Sequence, residues 1–209
     1  MDGSLTQDPI VELITNYHEL NSSIIEELDG EPSPLEFMRF VAKNTPFVDP
    51  DAINLWIGTA RSTTALHKDN YENMYVQVAG QKHFVLLPPA CQPCVRETRL
   101  PPAVYVRSGD GLALVVEEGE EAVPFATWDP DRPGENETEY SRLARPMRVT
   151  LEEGDMLYLP ALWYHKVSQS CSPEGVCIAV NYWYDMDFSG PLHALSSFVR
   201  SVSSNKSKK

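Results

Sequence analysis

His67 and Asp69 stand one residue apart in Leu66-His67-Lys68-Asp69, and a second imidazole is available far along the chain in Trp163-Tyr164-His165. In an extended strand, residues i and i+2 point to one face, so His67 and Asp69 can offer an imidazole and a carboxylate to the same ion while Lys68 points away. Two histidines and one carboxylate on one side of a metal leave positions open on the other, the donor set of non-heme Fe(II) oxygenases. Taken alone, His67 reads as a satisfied core histidine. Its spacing from Asp69 favours the metal, as does the setting of His165, which follows a Gly154-Asp155 turn and a strand ending at Pro160. The other three histidines carry less: His18 and His193 fall in predicted helices, and His83 sits on a strand with a packing role.

These ligands need a scaffold that brings distant strands together. Apolar residues at Leu5, Ile10, Leu13, Ile14, Tyr17, Leu20, Ile24, Ile25 and Leu28 predict an amphipathic helix. Ser33-Pro34-Leu35-Glu36 reads as the capped start of a short second helix ending near Lys43. From residue 53 the pattern turns to strands: Ile53–Ile57, Thr63–Asp69, Asn73–Val78 and, after an Ala79-Gly80-Gln81 hairpin turn, the return strand Lys82–Leu87. Residues 90–146 are rich in Pro, Gly and Glu and predict a long excursion with one or two strands and a mobile acidic loop near Asp129–Glu139. Strands resume at Met147–Leu151, Met156–Pro160, His165–Ser170 and Val176–Tyr184, and a helix is expected over Pro191–Val202. The fold class is therefore mainly β with flanking helices, a jelly-roll or cupin-like double-stranded β-helix. The domain plan is a helical segment over 1–48, the β-helix domain over 49–189 and a C-terminal helix with a disordered tail over 190–209.

Within such a roll, a bound carboxylate needs a buried cation, and Lys82 on an inward strand position could supply it. A solvated strand lysine is the ordinary reading of that residue by itself.

Composition narrows the partners. A net charge of −13 disfavours nucleic acid, whose binding depends on neutralising phosphates, and better suits a basic protein segment. Ordinary solubility also accounts for the acidity. The sequence holds no long apolar run and no secretory pattern, so the expectation is a soluble cytoplasmic protein, with the nucleus also allowed and no membrane. The N-x-S/T matches at Asn21, Asn136 and Asn205 read as chance in that compartment. Cys91-Gln92-Pro93-Cys94 has the spacing of a zinc half-site that Cys171 and Cys177 could complete, and a redox pair is another option; free thiols are the expected state in a reducing compartment.

The motifs Leu66-His67-Lys68-Asp69, Tyr71-Glu72-Asn73, Gly80-Gln81-Lys82-His83-Phe84, Gly154 through His165 and Ala179 through Met186 resemble, in this order, those of the jumonji-C (JmjC) oxygenases. They are similar above all to the subgroup of protein lysyl hydroxylases that act on developmentally regulated GTP-binding proteins. The resemblance implies that His67, Asp69 and His165 ligate Fe(II), and that Thr64 and Lys82 hold the distal carboxylate of 2-oxoglutarate with Asn73 and Asn181 nearby. It implies a reaction in which O2 and 2-oxoglutarate are consumed, succinate and CO2 are released, and a C–H bond is hydroxylated. The implied partner is a lysine-bearing protein such as a GTP-binding protein, with a homodimer allowed. A shortened non-catalytic relative that binds a partner, a histone demethylase and a peptidase remain as alternatives. The subgroup carries further strands between the segments matching Pro34–Phe37 and Ile53–Ile57, along with a tyrosine that contacts 2-oxoglutarate. No residue here matches that tyrosine by position, and Tyr75 stands as its candidate. Without those strands, an edge strand and apolar faces are expected to be left uncovered.

Overall fold

The computed structural model describes residues 8–20, 50–117, 119–186, 188 and 191–206. The short helix expected before Lys43 lies outside them, as do residues 21–28 of the first expected helix. Helix α1 (Pro9–Leu20) begins where Asp8 accepts a hydrogen bond from Ile10 N at 2.9 Å, with Pro9 at the first helical position. Helix α2 (Pro191–Lys206) runs past the expected end at Val202.

Twelve strands are present among the described residues: β1 (Ala52–Gly58), β2 (Thr63–His67), β3 (Tyr71–Ala79), β4 (Gln81–Leu87), β5 (Glu97–Leu100), β6 (Ala103–Ser108), β7 (Gly111–Val116), β8 (Val123–Ala126), β9 (Met147–Leu151), β10 (Met156–Leu159), β11 (Tyr164–Ser170) and β12 (Cys177–Asp185). Eight of them form two four-stranded sheets, β1-β12-β3-β10 and β2-β11-β4-β9. All neighbours within the two sheets are antiparallel. β3 and β4, expected to pair as a hairpin, instead sit in opposite sheets, because the turn at Gly80 carries the chain across the roll, so the chain winds as a double helix of strands. This is the expected jelly roll.

The inner faces obey the period of two. Asn73, Tyr75 and Gln77 on β3, Cys177, Ala179 and Asn181 on β12, Lys82, Phe84 and Leu86 on β4, and His165, Val167 and Gln169 on β11 are all buried or nearly so. The apolar members pack with Leu151, Leu157 and Leu159 into one cluster between the sheets. A second cluster gathers Ile10 and Ile14 of α1 with Leu66, Leu87, Cys91, Cys94, Trp128, Tyr140 and Tyr164. All four cysteines are free thiols. Among the described residues, none of them joins a group able to hold a metal, so a Cys91-Cys94 zinc knuckle completed by Cys171 and Cys177 is not formed.

The excursion is more ordered than its sequence suggests. It holds four strands rather than one or two, paired as the ribbons β5/β8 and β6/β7. β5 and β8 have four residues each, too short for an alternation to register. The acidic loop expected to be mobile is pinned to the barrel. Trp128 is buried and donates Nε1–H to Pro133 O at 3.0 Å, and Lys166 Nζ lies 2.7 Å from both Asp129 Oδ1 and Asp131 Oδ2. Strand β1, at the end of its sheet, exposes Ile53, Leu55 and Ile57 at 62%, 63% and 65%, the uncovered apolar edge that the shortened sequence implies.

Two expectations follow. Gly80 turns β3 into β4 with φ 72°, and an added Cβ would stand 2.6 Å from Ser170 O and 3.0 Å from Ser172 N, both backbone. Gly80→Ala should therefore cost about 1–3 kcal/mol, read as a lower urea midpoint at unchanged slope. The second concerns acid. Burial pushes the Asp129 carboxyl up, but the hydrogen bonds from Lys166 and the Asp131 backbone outweigh it and hold Asp129 below its ordinary value. Asp131 is held down chiefly by the Lys166 hydrogen bond. A depressed carboxyl stabilises the fold above its unfolded pKa and loses that contribution as pH falls through the folded value. The urea midpoint should accordingly drop between about pH 5 and about pH 3, and Asp129→Asn should flatten part of that slope.

Candidate metal centre

His67 is the last residue of β2 and pairs in register with His165 on β11. The two rings meet with centroids 4.1 Å apart, tilted by 51°. Asp69 lies beyond the strand end, in the turn to β3, so its aim is set by the turn and not by strand alternation. The turn is fixed by its neighbour: Leu162 N donates to Asp69 O at 2.8 Å, and Leu162 holds a left-handed φ of 68° to do so. The outcome is nonetheless the one expected from the spacing. Asp69 Oδ2 stands 3.7 Å from His67 Nε2 and 3.6 Å from His165 Nε2.

These separations are too long for hydrogen bonds, and the remaining contacts explain why the nitrogens face an ion's position. His67 Nδ1 lies 2.8 Å from Ala65 O and His165 Nδ1 lies 3.1 Å from Trp163 O. A carbonyl only accepts, so Nδ1 carries the proton in both rings and Nε2 presents its lone pair. His165 is buried; burial, together with the neighbouring His67, pulls its pKa down to about 3, which keeps the ring neutral and ready to ligate at physiological pH. Burial pushes the Asp69 carboxyl up, partly offset by His67. Three donor atoms of mixed N and O character, all within 4.8 Å of one another, fit a divalent ion bound at the usual ~2.0–2.2 Å.

Deeper in the barrel the polar residues change character. Lys82 is buried and donates to Gln169 Oε1 at 2.5 Å, while no carboxylate among the described residues pairs with it. Burial pulls its pKa below the ordinary lysine value, so the pocket lacks the anion that would stabilise the charged form. Gln169 and His165 share the inner face of β11 four residues apart, or about 13 Å of strand. An anion that reaches from Lys82 toward the histidines therefore lies along one wall. The interior also carries groups that sequence spacing did not single out. Gln169 is fixed by its Nε2 donating to Thr59 O at 2.7 Å, and on β3 of the facing sheet Gln77 donates to Ala79 O and contacts Cys177 Sγ. No motif marks glutamines on inward strand positions, and only the register of β4 on β11 brings Gln169 to Lys82.

The remaining predicted residues are partly gathered. Asn181 donates Nδ2–H to Asn73 Oδ1 at 3.1 Å and accepts from Trp56 Nε1 at 3.1 Å, so the two asparagines form one buried pair on the facing sheet. Tyr75 is buried and packs edge-on against Phe84 at 5.1 Å, and its hydroxyl makes no hydrogen bond to a described residue. Burial, followed by Cys177, raises its pKa, and its neutral hydroxyl is available as a donor. Thr64 sits on β2 opposite Val167 and is exposed, the least enclosed of the set.

Comparison with known proteins agrees with this geometry. Residues 12–190 match the family model described as a cupin-like domain. A human protein, bifunctional peptidase and (3S)-lysyl hydroxylase JMJD7, is 46% identical over 140 residues, covering 66% of this chain and 43% of that protein. Lysine-specific demethylase JMJ32 of Arabidopsis thaliana is 44% identical over 149 residues with the same coverage of each, and JmjC domain-containing protein E of Dictyostelium discoideum is 34% identical over 153. The chain thus spans 43% of the length of these relatives.

Asp69→Ala should weaken Mn(II) binding by at least about tenfold while leaving the fold intact, since Asp69 is only partly enclosed. Titration followed by electron paramagnetic resonance reads the first and circular dichroism the second.

Proposed function

For a chain that belongs to the cupin-like JmjC family, we propose the function of an Fe(II)- and 2-oxoglutarate-dependent dioxygenase that hydroxylates a lysine in a protein substrate. The observation that carries this reading is the pairing of a His67-Asp69-His165 donor set with a buried lysine, Lys82, that pairs with no carboxylate among the described residues. The relative named as a lysyl hydroxylase supports the substrate class, and the demethylase name of another leaves methylated lysine as the competing substrate.

His67, Asp69 and His165 would hold the iron. When bound with 2-oxoglutarate and O2, it supplies the oxidation that places one oxygen atom in a substrate C–H bond, with succinate and CO2 as coproducts. The chain's own residues do the rest. The ammonium of Lys82, steadied by Gln169, offers a charge-assisted hydrogen bond to the far carboxylate of the cosubstrate, with Thr64 at the open end of the same sheet. The Tyr75 hydroxyl is a further donor toward that volume. Asn73 and Asn181 keep each other's amides oriented on the facing sheet. The apolar layer of Phe84, Leu86 and Val167 excludes water from beneath the ligands.

Purified chain is incubated with Fe(II), ascorbate and 2-oxoglutarate, with and without a lysine-containing GTP-binding-protein peptide. Succinate release and a peptide mass gain of one oxygen are expected. Absence of succinate under every condition overturns the dioxygenase reading, and formaldehyde from a methylated peptide in place of the oxygen gain redirects it to demethylation. Lys82→Met should raise the KM for 2-oxoglutarate by about tenfold or more with Mn(II) affinity unchanged.

A further inference from the structure

Glu97 opens strand β5, outside the barrel, and its side chain is only 7% exposed. Five donors converge on its carboxylate. Tyr164 OH donates to Oε1 at 2.6 Å, Lys68 Nζ lies 3.2 Å from the same oxygen, and Arg200 of α2 forks across both oxygens, Nε to Oε2 at 3.0 Å and Nη2 to Oε1 at 3.2 Å. Gln92 Nε2 completes the set, donating to Oε2 at 3.2 Å. The donors also hold one another, since Lys68 Nζ donates to Tyr164 OH at 3.1 Å and lies 4.9 Å from the centre of that ring.

Two of these donors are chain neighbours of metal ligands. Lys68 stands between His67 and Asp69, and Tyr164 precedes His165. Tyr164 alternates with His165 on β11, and Lys68 leaves the end of β2 on the side opposite His67, so both side chains turn away from the ion's position to the place where Glu97 meets them. One carboxylate therefore ties the back of the β2 end to the back of the β11 start. Asp69 needs this tie most, because it has left the strand ladder. Its carbonyl is held by Leu162 on one side, and its preceding residue by Glu97 on the other.

We infer that Glu97 is a positioning residue for the metal centre, and that through Arg200 it makes the hold on the metal depend on the seating of the C-terminal helix. The inference rests on the metal-site reading above. Groups that orient ligands without touching the ion commonly change affinity by roughly 10–100-fold when removed, whereas a residue that only adds stability leaves the affinity of the folded protein unchanged.

The test uses the full chain and Mn(II) alone, with affinity and the zero-field splitting of bound Mn(II) read by electron paramagnetic resonance. Glu97→Gln keeps the shape and removes the charge, and should weaken Mn(II) by roughly tenfold or more and alter the splitting. Arg200→Met and Tyr164→Phe each remove one contact, and should move both readouts in the same direction by smaller factors. They carry the test if Glu97→Gln does not fold. Gly80→Ala is the control for lost stability at a position away from the ligands, and should leave both readouts unchanged. Affinities within twofold of the parent for the Glu97, Arg200 and Tyr164 variants, with Asp69→Ala still defective, overturn the role of Glu97 alone. Failure of the unaltered chain to bind Mn(II) overturns the metal reading and this inference with it.

Discussion

The antiparallel register of β2 on β11 is the constraint on which the site depends. It sets His67 opposite His165, and both rings then use their own strand's carbonyl two residues back to fix the proton on Nδ1. A slip of one residue in an antiparallel ladder reverses every side chain on the strand, which would turn His165 outward and bring Tyr164 into the barrel. The register is defended on both sides of β11, since β4 pairs along its whole length from Tyr164 to Ser170. The facing of the two candidate ligand histidines is thus a by-product of a packing decision made by Phe84, Leu86 and Val167, whose apolar side chains must face the same interior.

That interior is divided along its length. Phe84, Leu86 and Val167 make one wall apolar, facing the buried Asn73-Asn181 pair on the opposite sheet; at the other end Lys82, Gln77, Gln169 and Cys177 make a polar floor. A buried ammonium with only a neutral amide partner is costly, and a fold selected for stability alone would place a methionine or leucine there. Under the function proposed above, an anion bound beside Lys82 would offset that cost, which is a physical basis for preferring a dicarboxylate to a neutral ligand.

Much of this was legible in the residues themselves, and what was not has physical causes. The eight barrel strands announced themselves because their alternation is enforced by an apolar interior and a wet exterior. Met147–Leu151 matches its expected bounds, and the strand from Met156 stops one residue short of the expected Pro160. The ribbons of the excursion did not, because β6 and β7 expose both faces and nothing enforces a period. The His67-Asp69 spacing was informative even though Asp69 is not in a strand, since the turn that carries it is pinned by Leu162. Gln169 and Glu97 were invisible, because their roles arise from long-range pairing and not from their neighbours in sequence. Lys68, expected only to point away, does so toward a partner that no local pattern could reveal.

The bare edge of β1 has a consequence in time. Every pairing in the barrel joins strands that are distant in sequence or separated by a crossover, and such topologies close slowly because each contact first pays loop entropy. During that interval β1, which among the described residues pairs only with β12, offers an open row of backbone groups beside Ile53, Leu55 and Ile57 to other chains. Yield of the folded state should then be set by a race between an intramolecular and a bimolecular pairing, so dilution during refolding or slow synthesis favours the intramolecular pairing even though neither changes the final stability.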